Sequence, residues 1–184
     1  MSFNNICPKD ILQFWFDELE PKQWFVKDLA LDKDIKTRFL ALHHAASMGE
    51  LYTWRDTAEG RLAEIIMLDQ FSRNIFRDTP LAFAYDSMAL ILAQEAVRLR
   101  LDQAVEFEMR SFFYMPYMHS ESAMIHEQAM ILFTQPGAEF NYEFELKHKV
   151  IIDQFGRYPH RNSILNRPST NAEIEFLNQP NSSF

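Results

Sequence analysis

The chain has 184 residues, 47% of them hydrophobic, and a formal net charge of −8. That size gives one domain a sizeable core, and the negative balance disfavours nucleic acid or an anionic membrane as the main partner. Its four glycines cannot be arranged into GxGxxG or a phosphate-cradling loop, and Cys7 as the lone cysteine excludes intrachain disulfides and cysteine-rich zinc sites. No apolar run approaches the ~18 residues of a membrane span. The amino terminus carries neither a basic n-region nor an apolar h-region, so the expectation is a soluble, cytoplasmic protein with no membrane partner.

Valine is scarce and Leu, Ala, Met and Glu are plentiful, which is a helical composition. A first helix is expected after Pro8, carrying Ile11, Leu12, Phe14, Trp15 and Phe16 and stopping before Pro21. A second spans about 32–48, with Ile35, Phe39 and Leu42 at helical spacing and Gly49 as its stop. The third holds Ile65-Ile66-Met67-Leu68-Asp69-Gln70-Phe71-Ser72-Arg73-Asn74. Thr79-Pro80 reads as a start signal. From it, Leu81, Tyr85, Met88, Leu92 and Leu99 mark one face of a helix ending near Arg98 and Arg100. Further helices are expected from Val105 to about Met115, interrupted or bent at Pro116, then from Ser120 or Ser122 to before Pro136-Gly137, and from about Phe140 to Gln154. Thr170-Asn171-Ala172-Glu173 is a capping box opening a short helix through Leu177. The whole reads as one all-α domain over 1–184, a bundle or a stack of helical hairpins.

Two segments stand out. The run ending in Asp69-Gln70-Phe71-Ser72-Arg73-Asn74 is echoed by Val150-Ile151-Ile152-Asp153-Gln154-Phe155-Gly156-Arg157-Tyr158, which continues into Pro159-His160-Arg161-Asn162. In each, an apolar run ends abruptly in charged groups that are costly at the edge of a core unless paired.

Together with Trp15-Phe16, Tyr114-Met115-Pro116-Tyr117-Met118-His119-Ser120-Glu121 and Pro180-Asn181-Ser182-Ser183-Phe184, these segments resemble the largely bacterial family called domain of unknown function 924, in motif order along nearly the whole chain. The resemblance implies a tetratricopeptide-like helical fold. It carries no established activity, cofactor or catalytic residue. The chain departs from the family pattern at Ser72, where proline is usual, at Asp78, where glycine is usual, and at Asp153-Gln154. Serine at 72 leaves Asp69 and Arg73 free to form an ordinary i,i+4 pair on a continuous helix.

On such a helix Asp69, Arg73 and Arg77 fall in one column. They are either an intrahelical ion pair with a solvated neighbour, or a carboxylate holding an arginine rigid for bidentate capture of a carboxylate or phosphate. Gly156 and Pro159 make 156–162 a loop that presents His160 and Arg161. Arg157, Arg161 and Asn162 there serve either a ligand or the carbonyls of helix ends. From Lys147 to Arg167 five basic residues face one acid, an excess suited to an anion or to acids elsewhere in the fold. Capping explains Ser120 and Glu121 but leaves His119 over as acid, base or ligand. A zinc site from His119, Glu121, His126 and His160 matches no known spacing, and Met130 breaks HExxH after His126-Glu127. No metal or cofactor is therefore expected. Met109, Met115, Met118, Met124 and Met130 read as core filler ahead of a binding surface.

Two functions are compatible with these residues. The first is a binding module whose cleft, lined by Asp69, Arg73, Asn74, Arg77, Arg157, Arg161 and Asn162, takes an anionic small molecule or a peptide or protein group. The second is a hydrolase or transferase of a phosphorylated or carboxylated substrate. In it His119 or His160 is general acid or base, Glu121 orients it and the arginines stabilise negative charge. An enzyme requires a histidine within reach of both a carboxylate and ligand space.

Overall fold

A computed structural model describes residues 6–135, 138–180 and 182. Among them the regular structure is helical, with no strand. Helix α1 is Pro8–Gln13, extended by a π-helical turn Phe14–Glu18; α2 is Leu29–Ser47. Helix α3, Ala58–Ile66, runs through a π-helical turn Met67–Phe71 into α4, Ser72–Ile75. Then come α5 Asp86–Arg98, α6 Phe107–Met118, α7 Ala123–Phe133, α8 Glu139–Phe155 and α9 Asn171–Leu177. Consecutive helices α5, α6, α7 and α8 pack on one another, and α3 is covered by α1, α5 and α6. This all-α architecture is compatible with the tetratricopeptide-like expectation. No described helix is long and apolar enough to cross a membrane. Positions 136–137, the expected stop of α7, and most of the terminal 181–184 motif lie outside the described residues.

Aromatic contacts bind the halves of the core. Phe14 meets Phe39 at 5.0 Å and Phe71 at 5.8 Å, and Trp15 meets Phe71 at 5.5 Å and Phe112 at 5.9 Å, all between ring centroids. Met115, Met118 and the aromatics from Phe112 to Tyr117 are buried, as expected of core filler, while Met124 is exposed. Helix α6 passes through Pro116 and ends at Met118.

Two expectations are corrected. Pro80 begins only a 3-10 turn, Pro80–Ala82, because the Thr79 hydroxyl turns back to the Phe76 carbonyl (2.7 Å) instead of capping forward. Helix α5 starts at Asp86 and buries Ala89, Leu92, Ala93 and Ala96, leaving Leu81 and Leu99 exposed. Small residues on that face let neighbouring helices approach closely, which a search for large apolar side chains overlooks.

The second correction is that 65–75 is not one regular helix. The π turn inserts an extra residue per turn and buries all of Met67, Leu68, Asp69, Gln70 and Phe71. Ser72, where the family usually has proline, donates its hydroxyl to the Leu68 carbonyl (2.6 Å) and meets His43 Nε2 at 2.7 Å. Asp78, where glycine is usual, has φ 61°, a left-handed conformation that glycine adopts without steric cost.

Gly60, in the first turn of α3, lies under the Trp54 carbonyl. A Cβ there would stand 1.9 Å from that oxygen. Because the obstacle is backbone, Gly60→Ala should cost about 3 kcal/mol, lowering the melting temperature by roughly 6–12 °C. A thermal melt of the variant within a degree of wild type would contradict this packing.

Candidate functional site

The two signature segments converge on a carboxylate that neither contains. Asp86, the first residue of α5, accepts Arg73 Nη1 and Nη2 at 3.0 and 3.1 Å and Arg161 Nη1 at 3.2 Å. Arg161 is buried between the rings of Phe83 and Tyr158, its guanidinium carbon 4.6 and 4.5 Å from their centroids. Its Nη2 donates to the His119 carbonyl at 3.1 Å. A chain separation of 75 residues is thus closed by one shared acid.

Asp69 sits at the centre of the cluster. The π turn aims its carboxylate inward, where Oδ1 meets His119 Nδ1 at 2.7 Å and Oδ2 accepts Gln70 Nε2 at 2.6 Å. Arg73 Nη1 donates to the Asp69 carbonyl at 2.6 Å and lies 3.4 Å from Oδ1. Burial opposes ionisation of Asp69, but His119 and Arg73 win and hold its pKa down to about 2. For His119, burial and the Arg73 guanidinium outweigh Asp69 and push the imidazole below its ordinary value. At neutral pH the pair is therefore a carboxylate and a neutral ring. The Nδ1–H donates to Asp69, and Nε2 has no hydrogen-bond partner among the described residues. The His119 side chain keeps 15% of its surface exposed, against 1% for Asp69, so the ring, with Arg73 and Asp86, forms the outer edge of the cluster.

The remaining site candidates are engaged elsewhere. Arg77 Nε and Nη2 pair with Asp32 of α2 at 2.5 and 2.8 Å, and Asn74 Nδ2 donates to the same acid at 2.8 Å. Of the expected Asp69–Arg73–Arg77 column the Asp69–Arg73 pair forms, at 3.4 Å, while Arg77 lies beyond the end of α4 at Ile75 and turns to Asp32 instead. Arg157 Nε and Nη2 take Glu173 at 2.6 and 2.8 Å, and Glu173 also closes the predicted capping box on Thr170. Asn162 joins Ser169 and Arg167 (3.1 and 2.9 Å). Glu121 orients no histidine. It accepts Arg167 at 2.5 and 2.9 Å and the Tyr158 N–H at 2.8 Å, and although burial opposes it, these donors hold its pKa below the usual range. His160 packs against Tyr158 with the rings tilted (centroids 5.5 Å), and burial and then Arg161 push it down to about 4. Four of the five basic residues of 147–167 are thus paired, Lys149 with Asp153 and Glu127, Arg157 with Glu173, Arg161 with Asp86 and Arg167 with Glu121, while Lys147 lies over the Phe144 ring.

Sequence reading missed Asp86, Asp32 and Glu173 as partners, and took Glu121 for the acid that Asp69 turns out to be. The available signal was a balance: arginines at the edges of buried runs require carboxylates, and the fold supplies them from α5, α2 and α9. Among the described residues no group of three or more His, Cys, Asp or Glu is placed to hold a metal ion.

Fold and site together define an all-α protein in which a buried Asp69 and Arg161 meet a half-buried His119 and Arg73 where its signature segments converge. The chain belongs to the family of bacterial proteins of unknown function DUF924, whose family model matches residues 11–181. It is similar to a solved protein of unknown function from Agrobacterium tumefaciens, with 40% sequence identity over 93% of this chain and 96% of that one, at a TM-score of 0.88. No curated protein matches.

Proposed function

We propose that this protein is an enzyme of the hydrolase or transferase type, with His119 as general base and acid and Asp69 as the residue that positions it. The observation that carries this is the 2.7 Å contact of His119 Nδ1 with Asp69 while Nε2, among the described residues, stays unpaired on a partly exposed ring. A carboxylate held by Gln70 and paired with Arg73 fixes the tautomer, so that the Nε2 lone pair is free for a hydroxyl or water brought to it. Arg73 and Arg161, oriented by Asp86, complete the cluster around the ring and balance the charge of the two acids. The leaving group takes its proton back from Nε2.

A second reading, capture of an anionic group without chemistry, is favoured by one detail. Arg161 Nε is buried without an acceptor, and two guanidiniums share Asp86. Against it, Arg73 and Arg161 are balanced in charge by Asp69 and Asp86, and Arg77 and Arg157 are bound to their own acids. The test is a screen of phosphate esters, carboxylic esters and amides on wild type and His119→Gln. The enzyme reading expects a turnover that the variant loses. Turnover equal in both proteins contradicts it, and saturable anion binding without turnover supports the second reading.

A further inference from the structure

Away from His119, a groove of about 530 Å³ lies between α3 and α5, lined by Arg55, Arg61, Ile91, Leu92, Glu95 and Arg98 among others, within the ordinary size range of small-molecule sites. While Arg38, Arg73 and Arg167 use both Nη atoms, four arginines of this chain take carboxylates side-on, through Nε and Nη2. Arg55 does so with Glu64 at 2.7 and 2.6 Å, Arg98 with Glu95 at 2.9 and 2.7 Å, and Arg77 and Arg157 likewise with Asp32 and Glu173. Arg61 is the exception on the groove wall. It forms no ion pair among the described residues, and its Nε is buried without an acceptor. Leaving a buried donor of a charged group unmet is costly, and it is unexpected in a protein of net charge −8. The three guanidiniums of the wall meet only two carboxylates among the described residues, Glu64 and Glu95. Ile91 and Leu92 supply the apolar surface beside them.

We propose that this groove binds a small monocarboxylate with a hydrocarbon body of several carbons. Its carboxylate pairs with the Arg61 guanidinium, and its alkyl part lies along Ile91 and Leu92. One surplus guanidinium matches one carboxylate and not a phosphate dianion. The apolar lining adds affinity with each buried methylene.

Calorimetric titration of the full chain with acetate, hexanoate, n-hexanol and inorganic phosphate tests this. Hexanoate should bind saturably, with acetate, hexanol and phosphate each about tenfold weaker or more. Arg61→Met should weaken hexanoate by about tenfold or more, Arg61→Lys should restore only part of it, and His119→Gln should bind as wild type does. In the wild-type protein the Arg61 Nε–Hε resonance should move with hexanoate and not with hexanol, a readout that stands even if a variant misfolds. No saturable hexanoate binding, hexanol binding as tightly as hexanoate, full affinity in Arg61→Met, an unmoved Nε–Hε resonance or loss of binding in His119→Gln would each overturn the proposal.

Discussion

His119→Gln should lower turnover by about 10²-fold or more while leaving the fold intact. Glutamine can still reach Asp69 with an amide N–H, so the buried carboxylate keeps a donor and stability changes little. The loss is of the proton-accepting lone pair that faces outward from the cluster. The wild-type rate should depend on pH in a defined sense. Because burial and Arg73 lower the His119 pKa below its usual value, the basic form dominates at pH 7, and rate should fall only on an acid limb centred below about 6.5. Asp69→Asn should lose a comparable factor through the tautomer, and it should also destabilise the chain, because the half-buried Arg73 loses one of its two carboxylate partners. A variant at His119 that keeps its rate, or an acid limb above pH 7, would remove the residue from the chemistry.

Acid should unfold this protein before most of its carboxylates titrate. His43 is fully buried and pairs with Ser72, and burial followed by the neighbouring His44 lowers its pKa to about 4. Burial lowers His148 to about 3 and, with Arg161, His160 to about 4. A folded-state pKa below the unfolded value of about 6.5 means that the unfolded chain binds more protons. Stability is therefore complete above about pH 6.5 and falls as pH drops toward 4. With three such groups the slope reaches roughly 4 kcal/mol per pH unit near pH 5, enough to exhaust a typical stability of about 5–15 kcal/mol within two or three units. Asp69 and Glu173, both held to about 2, add further loss below pH 4. An acid titration followed by circular dichroism should give a midpoint above pH 4, and His43→Gln should lower the proton uptake on unfolding by about one. A protein still native at pH 3.5 would contradict the burial of these rings.

The helices were legible because their signals are local. Thr170 and Glu173 form the capping box read from four consecutive residues, and Pro8 and Ser122 stand at the expected starts of α1 and α7. The start of α5 was not, since Thr79-Pro80 has the same letters whether the hydroxyl caps forward or folds back on Phe76. The π turn at Met67–Phe71 was equally hidden. It costs regular hydrogen bonding that only tertiary packing of Asp69 and Phe71 offsets, and no residue type announces that. In the site, Asp69, Arg73, His119 and Arg161 were all picked out, because polar groups ending apolar runs must be paired. Their pairing was not legible. Asp86 lies 13 residues from Arg73 and 75 from Arg161, and with the helix start expected at Thr79-Pro80 nothing local set this acid apart.

If burial and Arg73 keep His119 neutral while Asp69 fixes its proton on Nδ1 and its lone pair on Nε2, imidazole nitrogen NMR of the ¹⁵N-labelled protein, compared with Asp69→Asn, reads this directly and needs no substrate. At pH 7 the His119 ring should be neutral, with Nδ1 protonated and Nε2 bare. It should titrate below about 6.5, and its tautomer preference should weaken in Asp69→Asn. A ring protonated on both nitrogens at pH 7, or one carrying its proton on Nε2, would contradict the role assigned to the pair.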